Sequence, residues 1–161
     1  MSISQRIGYS AEPKPLGSYA VLAGGFNAAL AGFIAARRRS GRDLPERIGP
    51  GDVALMGAAT HKLARLIAKD KVTSFARAPF VRYEGDAGPS EVDESPRGSG
   101  LRLAVGELVS CPFCLGQWVA AGFAAGLVSA PRTTRFVASI FAAHAIADGL
   151  NVVYKLGEEE M

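Results

Sequence analysis

Apolar positions in this chain gather into long runs instead of alternating with charge, and four such runs stand out. Residues 16–36 carry no charged side chain over 21 positions, with only Ser18, Tyr19 and Asn27 as polar interruptions. A helix of about 20 residues crosses the roughly 30 Å hydrocarbon core of a bilayer, so this run predicts a span. The second, 51–68, is uncharged from Val53 to Thr60 and then acquires His61, Lys62 and Arg65, with Lys69 just beyond. On a helix these four share one face and Met56, Ala59, Leu63, Leu66 and Ile67 the other, which fits a span with snorkelling basic residues or an amphipathic helix in the interface. The third, 108–131, has 24 residues without charge and includes Phe113, Trp118 and Phe123; the fourth, 136–154, is broken only by His144, Asp148 and Asn151.

The pattern predicts an all-α fold, a polytopic transmembrane bundle of three or four spans, multi-pass in the cell membrane with the lipid bilayer as its partner. Composition agrees: 20% of residues are charged and mean hydropathy is +0.16. A soluble core of this length carries roughly 25% charge spread through every helix. Ala and Gly number 46 against 21 Leu plus Ile, which weakens the insertion signal and keeps a small soluble helical bundle as a competing reading. Residues 1–48 form an N-terminal extension with a candidate anchor and an Arg-rich connection, too long in its apolar run for a cleaved signal peptide. Residues 49–157 form the main membrane domain. Within it 85–100, GDAGPSEVDESPRGSG, reads as a flexible polar linker, and 158–161 as an acidic tail.

Charge distribution gives contradictory sidedness. The arginines from Arg37 to Arg47 favour a cytoplasmic connection after the first run, yet Lys62, Arg65, Lys69 and Lys71 favour the same compartment for the opposite end of the second. The net charge of +3 is not arranged as a basic face interleaved with aromatics, so no nucleic-acid partner is expected. Small residues at four-residue spacing, Gly24, Ala28 and Gly32 in the first run and Gly122 and Gly126 in the third, predict close helix packing within the chain or between copies, hence a homo-oligomer or other membrane-protein partners.

Two features could carry chemistry. Cys111 and Cys114 flank Pro112 at the entrance of the third run, where Ser110 or Cys111 would cap a helix. Amide dipoles there favour a thiolate, so a redox pair is one reading. CPFC resembles the active-site tetrapeptide of glutaredoxins, but no βαβ pattern precedes it. Metal binding is another: zinc takes four ligands, and two chains giving one CxxC each would complete a Cys₄ site, while His61 and His144 are the other candidates in one chain. Otherwise the cofactor is unknown, and small side chains packing at a helix entrance are the plain alternative. His144, Asp148 and Asn151 line one face of the fourth run. They suit an ion or proton relay, or a hydrogen-bonded cluster in which Asp148 pairs with Arg65 or Lys62.

The stretch ATHKLARLI at 59–67 with Asp70 and the RAPF of 77–80, followed by the GEL of 106–108 and the CPFCLGQW of 111–118, resembles the bacterial domain of unknown function family 1360. That family includes a small sporulation-associated membrane protein. The resemblance covers roughly residues 52 to 152 and implies signature positions at Arg65, Asp70, Arg77, Glu107, Cys111, Cys114, Gly116 and Trp118. It implies three spans and no assigned activity, and the first run departs from it. The expected role is therefore non-enzymatic, a structural or assembly subunit, with a thiol-redox or metal-binding protein as the alternative.

Overall fold

The computed structural model describes residues 3–159. Its elements are α1 (Ile3–Arg6), α2 (Leu16–Arg39), α3 (Pro50–Lys69), a 3-10 turn (Lys71–Thr73), α4 (Ser74–Arg77), β1 (Val81–Gly88), β2 (Glu91–Pro96), α5 (Gly100–Ser110), α6 (Pro112–Ser129) and α7 (Pro131–Glu159). Each apolar run is helical. Three helices are long and apolar enough to cross a membrane: α2, α6 and α7.

The four long helices alternate in direction. Ala130 alone joins α6 to α7, and Thr134 approaches so closely that a Cβ on Gly126 would meet its Oγ1 at 2.8 Å. α3 lies against both, with Asp52 bound to Arg135 near one end and Lys62 to Asp148 toward the other, so α3 and α7 run parallel and α6 opposes them. α2 runs alongside α5 and α6, Tyr19 meeting Glu107 and Phe26 meeting Trp118. The core of the bundle is Ala59, Phe123 and Ala138, with Leu55, Met56, Leu63, Val119 and Phe141 packed around them. α3 is thus the central packing element of the bundle, not a helix lying apart from it, although it is absent from the apolar set.

Two expectations change. The fold is not all-α: the 85–100 segment is mostly not a flexible linker, because β1 and β2 pair antiparallel from Val81 opposite Pro96 to Gly88 opposite Glu91. Pro89 fixes one turn position and Ser90 adopts φ 65°, the positive-φ place in a tight turn. Only Val81 and Val92 are buried among the apolar strand residues, too few to produce a readable alternation. The third run, by contrast, starts its long helix where Pro112 and its cap were expected to place it. The run divides at Cys111, whose extended backbone (φ −109°, ψ 106°) ends α5 and opens α6, as Pro112 requires of its predecessor. Of the acidic tail at 158–161, residues 160 and 161 lie outside the described residues.

Candidate functional site

Three of the expected signature side chains, Arg65, Asp70 and Arg77, lie at one end of the bundle, where the hairpin, α4 and α5 form a cap over the C-terminus of α3. A helix C-terminus leaves carbonyls without partners and attracts positive charge. Arg77, 1% exposed, answers both needs: its Nη1 donates to Ile67 O at 2.6 Å and to Thr73 Oγ1 at 2.7 Å, and its Nη2 donates to Asp70 O at 3.0 Å. Thr73 Oγ1 donates to Leu66 O at 2.6 Å. The remaining donor, Arg77 Nε, reaches Glu94 Oε2 on β2 at 2.6 Å, and the Glu94 side chain is 5% exposed. Burying two ions costs several kcal/mol each unless their polar atoms are satisfied, as Arg77's donors are here.

Arg65 forms a two-pronged bond with Glu91, Nε to Oε1 at 2.6 Å and Nη2 to Oε2 at 2.8 Å. Asp70 accepts from the Val72 amide and bridges to Glu91, and the Lys71 amide donates to Ser90 O. The turn of the hairpin is thereby fixed to α3. Its open end is fixed to α5: Arg97 and Arg102 donate to the carbonyls of Ala78 and Pro79, and Gly106 passes so near the backbone that a Cβ there would stand 2.6 Å from Phe80 O. On the outer strand Lys71 pairs with Asp86, which also accepts from Tyr83. Those two bonds hold the Asp86 carboxyl below its usual range, and the bond to Asp86 pushes the Tyr83 phenol up.

The other signature residues reach the helices. Glu107 accepts from Tyr19 at 2.6 Å; Trp118 meets Phe26 edge-on with ring centres 5.2 Å apart; a Cβ on Gly116 would touch Thr60 at 4.0 Å. Cys111 is the cap of α6, its Sγ accepting the Cys114 amide at 3.2 Å, and both thiols are free. Among the described residues no group of three His, Cys, Asp or Glu side chains could hold a metal ion. His61 and His144 therefore do not complete a site with the two thiols within one chain.

The polar face of α7 divides. Asp148 binds Lys62 Nζ at 2.5 Å, with His144 Nε2 3.8 Å away, while Asn151 is exposed. The small-residue stripes also divide. Gly126 faces Thr134, but among the described residues a Cβ on Gly24, Gly32 or Gly122 would meet nothing within 4 Å, and Ala28 is exposed. The stripe on α2 is thus not used for packing within the chain.

A family model described as protein of unknown function (DUF1360) matches residues 55–154. The chain belongs to this family. DUF1360 spans most of α3, the whole cap, α6 and most of α7, and leaves α2 outside, so the contacts of Glu107 and Trp118 join signature residues to a helix beyond the family match. The chain is similar to sporulation protein YjcA of Bacillus subtilis (strain 168), 37% identical over 71 residues that cover 42% of this chain and 60% of that protein. It thus spans less than two thirds of the length of this curated relative. No solved structure matches.

Sequence reasoning missed Glu91 and Glu94. Glu94 stands two residues from buried Val92 on the same strand face, a period-2 signal only two positions long. Gly106 was visible only as part of the GEL motif; the reason for it, the close approach of the Phe80 carbonyl, lies in a backbone far away in the chain.

Proposed function

We propose that this DUF1360 protein is a non-enzymatic integral membrane protein, a structural or assembly subunit in which α2, α3, α6 and α7 cross the bilayer and the hairpin cap sits on one surface. The observation that carries the reading is the inverted placement of apolar side chains. Among the described residues six of the ten buried apolar ones are alanines, whereas Val21, Leu30, Phe136, Ile140, Ile146 and Leu150 are among the large apolar residues left exposed. Accessible surface is 10527 Å², against roughly 7,650 Å² for a compact soluble protein of this mass. Lipid is the solvent that accepts such a surface, and small residues are what bundles in lipid pack through.

The signature residues support a structural role because their bonds close on one another: Arg77, Arg65 and Asp70 hold the cap to α3, and Glu107 and Trp118 hold α2. Exposed faces of α2 and α7, including Gly24, Ala28 and Gly32, leave room for a second copy or another membrane protein. The name of the relative extends the proposal to a membrane process of sporulation.

A second reading, thiol redox or metal binding through Cys111 and Cys114, has one observation in its favour: the two free thiols are adjacent and Cys114 is exposed. A chromosomal replacement of both cysteines by serine separates the two. A structural subunit keeps its membrane level and whatever cellular role its deletion reveals. Loss of that role at a normal protein level would instead establish the thiol reading.

A further inference from the structure

The end of the bundle opposite the cap carries an unusual charge arrangement. There Arg37, Arg38, Arg39, Arg42, Arg47 and Arg132 have no ion-pair partner among the described residues, and Arg135 alone is paired, with Asp52. The only other acids in this region are Asp43 and Glu46 in the connection between α2 and α3. At the cap end Lys62, Arg65, Lys71 and Arg77 each have a carboxylate partner, and Arg97 and Arg102, which have none among the described residues, donate to backbone carbonyls instead, although Arg97 Nε, like that of Arg37, has no partner of its own. Arg37 is half-buried, and its Nε is buried without a hydrogen-bond partner.

An apolar groove leads to these arginines. Two adjoining cavities of about 210 Å³ each run between α2 and α6, sharing Leu30, Phe33, Ala121 and Ala125. The inner one is bounded by Phe26 and Trp118; the outer one reaches Ile34, Leu44 and Ile48. On α2 the lining residues Leu30, Phe33 and Ile34 stand seven, four and three positions before Arg37, so Arg37 continues the same helical face at the mouth of the groove. From Phe26 to Arg37 the face is roughly 16 Å long.

We propose that this groove binds an acidic phospholipid, one acyl chain lying between α2 and α6 and the phosphate meeting Arg37 and Arg42. This rests on the membrane reading above. An unpaired, half-buried guanidinium beside an apolar channel needs an anion with an apolar tail, and basic pockets between transmembrane helices hold acidic headgroups for that reason. Arginine suits a phosphate through its paired donors.

Trp118, the single tryptophan, lines the groove and reports on it directly. The full chain in mild detergent is titrated with phosphatidylglycerol or phosphatidylcholine bearing brominated acyl chains, which quench an indole on contact. Phosphatidylglycerol quenches at a lipid ratio at least about fivefold lower, the factor expected from about 1 kcal/mol for one basic contact. Arg37→Gln and, on the exposed connection, Arg42→Gln each reduce that preference without changing quenching by phosphatidylcholine. Glycerol phosphate does not displace the lipid. Equal quenching by both lipids, a preference unchanged in both variants, no quenching by either because a second copy fills the groove, or displacement by glycerol phosphate would each overturn the proposal. Failure of the membrane reading appears separately, as a monodisperse chain without detergent.

Discussion

Arg77 holds the cap more than any other single side chain, and its neighbours make the consequence of removing it specific. Arg77→Ala leaves Glu94 buried and unpaired and strips partners from Ile67 O and Asp70 O. Loss of one member of a buried pair costs about 3–5 kcal/mol. The variant should therefore show an earlier denaturation midpoint in detergent, and pairing it with Glu94→Met should recover part of the loss, because the orphaned charge is then gone. Unchanged stability in the single variant would mean that the pair does not hold the cap. Asp86 provides a pH-dependent counterpart. Its carboxyl is held low first by the Lys71 bond and then by the Tyr83 bond. A carboxyl with a lowered folded value stabilises fully above its unfolded value and loses that contribution as pH falls through the folded one. The side-chain carboxyl resonance of Asp86 itself should thus stay constant from neutral pH down to the usual carboxylate range and change only below it; Asp86→Asn removes that transition.

At the scale of elements, the long helices were legible because their hydrophobic runs exceed what turns or strands permit, and Pro112 correctly marked the start of α6. Of the basic residues behind the sidedness conflict, Lys62, Arg65 and Lys71 meet acids from the hairpin and α7 that lie 15 or more positions away in sequence, while Lys69 has no ion-pair partner among the described residues. The hairpin itself was hidden because its order comes from ion pairs and backbone bonds to α3 and α5 rather than from an apolar face, and such partners are chosen by tertiary structure. Of the candidate site, the signature positions were visible as motifs; what they bind was not. The junction of α5 and α6 carries its own prediction. Cys111 acts as a helix cap, and serine is a better one. Cys111→Ser should leave the thermal midpoint equal or slightly higher, while Cys111→Ala should lower stability by about 0.5–2 kcal/mol. A large loss with serine would assign the sulfur a role beyond capping.

For the whole molecule, alternating helices place the hairpin cap and both ends of the described chain on one side, and the Arg-rich connection with the α6–α7 turn on the other. The bundle core is narrow and rich in alanine, and bulky apolar side chains cover the outside of α2 and α7. Water would penalise that surface. Extraction of cell membranes with alkaline carbonate tests this most directly. The full-length protein should remain in the sedimented membranes and be released only by detergent; its recovery in the carbonate supernatant as a dissolved monomer would contradict the account.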